Sequence, residues 1–374
     1  MKLRRGSVLL CVASALLIGG CACAPHTLSK TPTAATPRVG HVFVIVLENQ
    51  PFDTTFGGQS PAPYMAHELT AKGVLLRQYF GIGHFSLDNY LAMISGQAPN
   101  PATQADCGVF SEFVPTQSTL DADGQLRGEG CVYPASVKTV ADQLEAASFD
   151  WKGYMEDMGK DPAREAAVCA HVAIGANDLT NRATADDQYA DKHNPFVYFH
   201  SIIDDQPRCE RHVVNLDALP HDLRHVASTP NYVFITPNLC HDGHDAPCKN
   251  GEPGGLVSAD AFLRNWVPRI LASPAFKQDG LLVITFDEGM LDSTACCAER
   301  GLAGGPPPGL NGPGGGRIGA VLIAPSIKPG TQSEVPYNHY SLLRWTEDNF
   351  GLSHLGYAAA PGLVTFGSDV FAKP

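Results

Sequence analysis

Five short apolar runs, each followed by polar residues, glycine or proline, constrain the fold of this 374-residue chain more than any other feature. They are rich in valine, isoleucine, leucine and phenylalanine, and they cover residues 41–47, 196–203, 232–236, 281–286 and 318–324. A continuous apolar run of this length is typical of a strand that is buried on both faces. We therefore predict that these runs are strands of a central sheet.

Helical patterns lie between these runs, at residues 136–147, 259–271 and 341–350. Alternation of strands with helices predicts an α/β fold in which a mostly parallel sheet is covered by helices on both faces. About 337 residues follow position 37, and no further low-complexity segment interrupts them. The expected organisation is one large domain over residues 38–374.

The first twenty residues have the pattern of an export signal. Positive charges in residues 1–5 precede an apolar run, residues 8–18, which is too short to cross a bilayer as a helix. The sequence LIGGC at residues 17–21 is similar to the box before the lipidated cysteine of bacterial lipoproteins. It predicts a signal over residues 1–20, a lipid anchor on Cys21, and a tether rich in threonine, alanine and proline over residues 21–37.

Ordinary signal cleavage near Ala22 to Ala24 is the alternative. The expected location is therefore the bacterial cell envelope, as a lipid-anchored protein, or else the periplasm or the extracellular medium. Membrane attachment is expected only through the N-terminal lipid.

The net charge argues against one class of partner. The formal charge is −12, and loss of Lys2, Arg4 and Arg5 with the signal makes it −15. A surface this acidic does not favour binding to nucleic acid. A small phosphorylated substrate stays compatible with it, because a cation within a cleft can reverse the local field.

Eleven cysteines in an exported chain predict disulfides. Without Cys11, Cys21 and Cys23, eight remain, enough for up to four bonds: Cys107, Cys131, Cys169, Cys209, Cys240, Cys248, Cys296 and Cys297. Proximity in sequence suggests the pairs Cys107 with Cys131 and Cys240 with Cys248. A soft-metal site built from the last four cysteines is the alternative.

Polar clusters follow three of the predicted strands, and a serine lies between them in sequence. The clusters are Glu48–Asn49, residues 238–245, and Asp287–Glu288, and the serine is Ser86 in the segment GHFSLDNY. In open α/β sheets, ligands bind beyond the carboxyl ends of the strands. A serine hydroxyl needs a base or a metal ion to become a nucleophile, and carboxylate and amide oxygens are the ligands of hard divalent cations. This combination predicts a hydrolase of phosphoric esters.

Four segments carry a resemblance to a known family. They are ENQPFDTTFG at residues 48–57, GHFSLDNYLAMISG at 83–96, TPNLCHDGHD at 236–245 and LLVITFDEG at 281–289. The chain resembles the bacterial phosphoesterase family that includes acid phosphatases and phospholipases C. The resemblance implies an alkaline-phosphatase-like, three-layer α/β/α fold.

The resemblance also implies roles for individual side chains, with Ser86 as the nucleophile. The ligands of a divalent metal ion of unknown identity would be Glu48, Asn49, Asp287 and Glu288. Further catalytic groups would be His84, Asp242 and His244. Phosphate-binding groups would be Asn238, His193, Asp245 and His339. A second metal ion in residues 238–245 is possible in such an arrangement, as is a network that holds phosphate by hydrogen bonds without any metal.

The serine-containing segment and the compact length resemble the acid phosphatases more than the longer phospholipases C. Phosphate monoesters are therefore the expected substrates. A phospholipase C that acts on phospholipid head groups is the alternative, so the expected partner is a small phosphorylated molecule or a phospholipid. A surface lipoprotein that binds a ligand without catalysis is the second alternative. The oligomeric state cannot be read from these residues.

Overall fold

The computed structural model describes residues 38–297 and 299–372. The predicted signal, the predicted lipid anchor on Cys21 and the predicted tether up to residue 37 lie outside the described residues. Among the residues that are described, no helix is both long enough and apolar enough to cross a membrane.

The described strands include the core of the molecule. In chain order they are β1 (His41–Leu47), β2 (Val74–Leu76), β3 (Tyr79–Phe80), β4 (Val114–Pro115), β5 (Gly128–Glu129), β6 (Trp151–Met155), β7 (Val213–Asn215), β8 (Tyr232–Thr236), β9 (Gly280–Phe286), β10 (Ala320–Ile323), β11 (Thr331–Ser333) and β12 (Tyr337–Asn338).

Eight of the described strands form the central sheet, in the order β11-β2-β10-β9-β1-β8-β6-β7. Within this described sheet, β10 alone runs antiparallel to its neighbours. The central strand β1 is buried along its whole length, and its Val44 pairs with Phe234 on one side and Val283 on the other. The predicted α/β fold with a mostly parallel central sheet is confirmed.

The described helices connect these strands. The α-helices are α1 (Phe52–Phe56), α2 (Thr70–Lys72), α3 (Ser86–Ser95), α4 (Val140–Ala146), α5 (His200–Ile203), α6 (Gln206–His212), α7 (Leu219–Asp222), α8 (Gly255–Ala272), α9 (Pro274–Asp279) and α10 (His339–Phe350). A π-helix covers Tyr64–Leu69, and 3-10 helices cover Thr103–Ala105, Asp191–His193, Pro195–Tyr198, Leu216–Ala218, Val226–Ser228 and Gly356–Ala359. The three helices expected from the sequence are present as α4, α8 and α10, with shifted ends.

The strand predicted over residues 196–203 is wrong. This segment forms the 3-10 helix Pro195–Tyr198 followed by α5. Pro195 has no N–H to donate to a strand ladder, and its fixed φ angle suits the first turn of a helix. The apolar side chains are buried because they pack onto the sheet: the Phe196 ring lies 4.6 Å from the Trp151 ring and 5.6 Å from that of Phe234.

Strand β6, which the sequence analysis did not predict, pairs with β8 in parallel. It was missed because Lys152 and Gly153 interrupt its apolar pattern.

All eight cysteines of the described residues are in disulfides. The pairs are Cys107–Cys131, Cys169–Cys209, Cys240–Cys248 and Cys296–Cys297. The two predicted pairs are confirmed. The alternative of a soft-metal site is wrong, because the sulfur atoms that would bind the metal are bonded to one another.

Helix α3 begins and ends in two well-defined turns. Before it, the Asn89 side chain accepts hydrogen bonds from the backbone N–H groups of Ile82 and Gly83, at 2.7 and 3.1 Å. After it, Gly96 adopts a left-handed conformation with φ of 68° and accepts a hydrogen bond from the Gln125 side chain at 2.8 Å. All ten residues of α3 are buried, so these two turns fix the helix that carries Ser86.

Two glycines test how strongly the end of α3 is constrained. Gly96 and Gly351 both end helices with φ near 70°, but a Cβ at Gly96 would meet the backbone of Leu355, whereas a Cβ at Gly351 has nothing within 4 Å. We expect Gly351→Ala to cost about 1 kcal/mol, from left-handed strain alone. Gly96→Ala should cost more than about 2 kcal/mol, because strain and steric overlap add. Urea unfolding of both variants measures this, and equal losses would contradict it.

Candidate active site

Strand pairing brings the Glu48–Asn49 and Asp287–Glu288 clusters together. Leu47 and Phe286 are paired at the ends of β1 and β9, so Glu48 and Asp287 follow side by side. The Asp287 N–H donates to the Leu47 carbonyl at 2.8 Å. Asn49 has a φ of 57°, a left-handed conformation that asparagine tolerates better than most residues, and its N–H donates to Asp287 Oδ1 at 2.8 Å. The polar residues that follow β1 and β9 are therefore in direct contact.

Glu48 lies at the centre of the site and is fully buried. Its Oε2 accepts hydrogen bonds from Ser86 Oγ at 2.8 Å and from Asn49 Nδ2 at 2.9 Å. Its Oε1 accepts a hydrogen bond from the Tyr90 hydroxyl at 2.8 Å. Ser86 and Tyr90 are one turn apart on α3 and so face the same carboxylate. The serine hydroxyl is thus held by a buried acceptor at the N-terminus of a helix.

His193 connects Glu48 to the polar cluster at residues 238–245. Its Nε2 lies 3.2 Å from Glu48 Oε1, and its Nδ1 lies 3.5 Å from Asp242 Oδ2. The imidazole stacks on the Tyr90 ring, with centroids 5.2 Å apart. Burial, followed by the positive charges of Lys192 and His244, lowers the pKa of His193 well below its usual value. The ring is therefore neutral near pH 7.

Three buried carboxylates meet here, which raises their pKa values. Burial, and then repulsion by Asp287 and Asp242, raises the pKa of Glu48 well above its ordinary range. Burial raises the pKa of Asp242 to about 7 and that of Asp287 to about 6. Lys192 opposes these shifts at all three carboxylates. The cluster is short of positive charge, which favours binding of a cation.

Lys192 is a cation that sequence reasoning missed, and its side chain is only 12% exposed. Its Nζ donates to Asp106 Oδ2 at 2.9 Å, and Asp106 Oδ1 accepts a hydrogen bond from the Leu87 N–H at 3.1 Å. Burial lowers the pKa of Lys192, but attraction to Asp106 and Glu48 outweighs it, so the net shift is upward. Lys192 therefore stays charged and is held beside the first turn of α3.

A cleft of about 380 Å³ opens above this cluster. The predicted site residues that line it are Asn49, His84, Ser86, His244 and Glu288, and Lys192 and Asp106 line it as well. A larger hollow of about 750 Å³ lies at residues 101–130 and 302–305, but none of the predicted site residues lines it. The cleft above Ser86 is therefore the candidate active-site cleft, because predicted site residues line it.

His84 and Glu288 lie together at one wall of the cleft. His84 Nδ1 contacts the Glu288 carboxylate, and Nε2–H donates to the Asp292 carbonyl at 3.0 Å. The opposite histidine, His244, has its Nδ1 2.8 Å from Asp245 Oδ1. Hydrogen bonding to Asp245 is the main cause that raises the pKa of His244.

None of the four predicted phosphate-binding residues, Asn238, His193, Asp245 and His339, lines the cleft. The Asn238 amide donates to Asp157 Oδ2 at 2.8 Å and accepts from the N–H groups of Cys240 and His241, so its polar atoms are used within its own loop. His339 is buried behind the strand end, with Nε2 2.6 Å from the Asp287 carbonyl oxygen. The polar atoms of Asn238 and His339 therefore bond within the fold and are not directed into the cleft.

The oxygen donors at the ends of β1, β8 and β9 are of the type that binds a divalent cation. Among the described residues, Asp242 Oδ2 and Asp287 Oδ2 are buried oxygens without a hydrogen-bond partner. Hard oxygens with uncompensated charge suit such an ion. The tight groups of three acidic, histidine or cysteine ligand atoms found among the described residues lie elsewhere, around Cys240 and Cys296. The predicted ligands thus fit by chemistry, although they do not form a closed cage.

One signal for the missed groups was present in the sequence. Tyr90 lies four positions after Ser86, and residues at that spacing share a helix face. Lys192 and Asp106 are 86 positions apart, and no local pattern joins them.

The loop after β8 is fastened by an ion cluster that makes its stability depend on pH. His241 Nδ1 lies 2.9 Å from Glu156 Oε1, and Nε2 lies 3.1 Å from Glu252 Oε2. Burial lowers the pKa of His241, but the two glutamates raise it more strongly, to about 9.

A raised pKa stabilises the fold at low pH. The contribution of His241 should be complete below about pH 6.5, the unfolded value, and should be lost as the pH rises through about 9. We expect wild type to exceed His241→Gln in free energy of unfolding by up to about 3 kcal/mol at pH 6, with the difference largely gone at pH 10. Urea titrations of both proteins at the two pH values measure this. A difference that stays constant with pH would contradict it.

Several named proteins are similar to this chain in sequence. A phosphate-repressible acid phosphatase of Penicillium chrysogenum is 29% identical over 289 residues, which are 77% of this chain and 55% of that protein. An acid phosphatase of Aspergillus fumigatus is 26% identical over 77% of this chain and 51% of its own length. The chain therefore spans about half the length of these fungal relatives. A phosphatidylinositol-3-phosphatase of Mycobacterium tuberculosis is 25% identical over 90% of this chain and 85% of that protein.

Among solved structures, a protein of the alkaline phosphatase superfamily from Vibrio parahaemolyticus is similar, with a TM-score of 0.49 and 12% identity. The match covers 87% of this chain and 70% of that one. The α/β fold of this chain is shown by its own strand order and strand directions.

The family model described as the Phosphoesterase family matches residues 59–353. The matched range includes Ser86, His193, Asp242 and Asp287, whereas Glu48 lies just before it. The match covers most of the chain, and the protein belongs to the Phosphoesterase family.

Proposed function

We propose that this protein hydrolyses phosphate monoesters through a nucleophilic attack by Ser86. The observation that carries the proposal is the hydrogen bond of 2.8 Å from Ser86 Oγ to the buried carboxylate of Glu48. A serine at the N-terminus of a helix, next to a cation and open to a cleft, suits the chemistry of an anionic phosphoryl group. Lys192, which lines the same cleft, supplies that cation.

In the first step, Ser86 Oγ attacks phosphorus and the bond from phosphorus to the alcohol oxygen breaks. The serine proton passes along its hydrogen bond to Glu48 Oε2. Lys192 attracts the negative phosphoryl oxygens, and Asp106 holds its ammonium in place. Preorganised charge of this kind usually accelerates phosphoryl transfer more than any other effect.

The leaving alcohol needs a proton, and His244 is the proposed donor. It lines the cleft, and its hydrogen bond to Asp245 favours the protonated ring. General acid catalysis of this type contributes roughly 100-fold to 10,000-fold. Water then attacks phosphorus of the phosphoserine and gives a proton to His244, which restores the acid. The bond from phosphorus to Ser86 Oγ breaks, Glu48 returns its proton to Ser86, and inorganic phosphate leaves. His84, paired with Glu288, is proposed to orient the phosphoryl group at the opposite wall.

A divalent cation is also part of the proposal. Glu48, Asn49, Asp287 and Glu288 would hold it, and it would supply positive charge that stabilises the serine alkoxide. The unpartnered buried oxygen of Asp287 supports this assignment, because burial of uncompensated charge is costly. A second ion near Asp242 and a network that works by hydrogen bonds alone are the alternatives.

The names of the relatives favour monoesters as substrates. The relatives described above are named acid phosphatases or a phosphatidylinositol-3-phosphatase, and each name denotes removal of a phosphate group. Phospholipase C activity on phospholipid diesters is the alternative. The proposal also includes export, with a lipid anchor on Cys21, as the first residues predict.

Replacement of the nucleophile tests the proposal. We expect Ser86→Ala to lower hydrolysis of p-nitrophenyl phosphate by at least about 1,000-fold, because a covalent step is lost. Ser95→Ala is the matched control: Ser95 lies at the other end of α3 and donates to the Leu91 carbonyl at 2.6 Å. It should keep the wild-type rate.

Equal activity of the wild type and Ser86→Ala would remove this serine from the mechanism. Preferred hydrolysis of p-nitrophenylphosphorylcholine would move the assignment to phospholipase C. No turnover of either ester by the wild type would favour a binding lipoprotein.

Removal of metal tests the second part of the proposal. After treatment with a chelator, we expect activity on p-nitrophenyl phosphate to fall with the metal content of the protein and to return when a divalent cation is added. Elemental analysis of the same samples gives the metal content. Full activity in protein that contains no metal would contradict the metal assignment and favour the hydrogen-bonded network.

A further inference from the structure

Apolar side chains surround the mouth of the Ser86 cleft, and the proposed chemistry does not use them. Phe85, Met290, Leu291 and Leu310 line the cleft; we name these four residues the apolar rim. Phe85 is 47% exposed, Met290 49% and Leu291 93%. Large apolar groups exposed together beside a cleft indicate a surface that binds something. A phosphoryl group gains nothing from such contacts.

The backbone of the apolar rim is strained at two positions. Met290 has a φ of 57° and Leu310 a φ of 58°. This left-handed conformation is uncommon for bulky side chains, whereas glycine adopts it freely. Strain of this kind is found mainly at functional sites, where a side chain must be held in a particular place. Both side chains are held against the cleft in this way.

The rim is next to the reacting atoms in the chain. Phe85 directly precedes Ser86, and Met290 closely follows Glu288. The charged and polar groups Ser86, Lys192 and His244 line the same cleft. An ester with its phosphoryl group at Ser86 therefore places its alcohol portion against the apolar rim.

The size of the cleft decides between two kinds of apolar ligand. Its volume of about 380 Å³ is near the lower end of the range for small-molecule sites. It suits a phosphoryl group with one compact alcohol attached. A lipid held in a bilayer would instead need the rim to face a membrane surface.

We propose that the apolar rim binds the alcohol portion of a soluble phosphate monoester and selects apolar alcohols over polyhydroxylated ones. This inference rests on the proposed function of Ser86. Contact between an apolar alcohol and the rim removes exposed apolar surface from water, which a polyhydroxylated alcohol cannot do without losing its own hydration. The rim thus acts in specificity, and the polar groups act in the chemical step.

The test compares n-hexyl phosphate with glycerol 2-phosphate in the full-length protein. Both release an aliphatic alcohol, so the ratio of their kcat/KM values reports contact with the alcohol portion. We expect the wild type to prefer the hexyl ester. In the double variant Met290→Ser/Leu291→Ser, the ratio should fall by about 10-fold, through a higher KM for the hexyl ester. Hydrolysis of glycerol 2-phosphate should change much less than hydrolysis of the hexyl ester.

Leu179→Ser is the matched control. Leu179 is 67% exposed and does not line the cleft, so its replacement should leave the ratio unchanged. Titration calorimetry with n-hexylphosphonate and methylphosphonate adds a readout without turnover. The hexyl compound should bind more tightly to the wild type, and the double variant should lose this advantage. Circular dichroism verifies that each variant is folded.

The outcomes separate failure of this inference from failure of the proposed function. Turnover of both esters with an unchanged ratio in the double variant would overturn the role of the rim alone. An equal loss in Leu179→Ser would do the same. Binding of the wild type to phosphatidylcholine vesicles, lost in the double variant while the ratio stays constant, would overturn it in favour of a membrane contact. No turnover of either ester by the wild type would overturn the proposed function, and this inference with it.

Discussion

The structure depends on one buried carboxylate at the end of the central strand. Glu48 follows β1, is fully buried, and accepts hydrogen bonds from Ser86, Tyr90 and Asn49. These bonds join the sheet to α3 and fix the serine hydroxyl at the floor of the cleft. A buried carboxylate is tolerated only when its oxygens are satisfied, so the same contacts that allow Glu48 to be buried also position Ser86, the proposed nucleophile.

Burial of the Glu48 carboxylate is unfavourable, and the charged groups around it either add to this cost or offset it. Asp287 and Asp242 add negative charge beside Glu48, and the pKa values of all three carboxyl groups are raised. Lys192 offsets part of this charge, and a bound cation would offset more. Electrostatic strain of this kind is typical of functional sites, where buried like charges raise one another's pKa values. The apolar rim is a separate layer, placed where the alcohol of a substrate would lie.

The sequence predicted the structure correctly where the local apolar pattern matches the element that forms. Continuous apolar residues in β1 and β9 predicted two buried strands, and the contact between Glu48 and Asp287 followed from their parallel pairing. Residues 196–203 have the same composition but fold as helical turns, because Pro195 suits a helix start and Phe196 packs onto the sheet. The partnership of Lys192 with Asp106 could not be predicted, since only the tertiary fold brings such distant residues together.

The central claim is that the phosphoryl group passes through Ser86, and direct detection of the intermediate tests it. Full-length protein would be mixed with excess p-nitrophenyl phosphate and quenched in acid within the first turnovers. Peptide mass spectrometry would then locate any phosphorylated residue. We expect a phosphoryl group on Ser86 that disappears as the substrate is consumed. Continued turnover with no phosphoryl group on Ser86 at any quench time would contradict it.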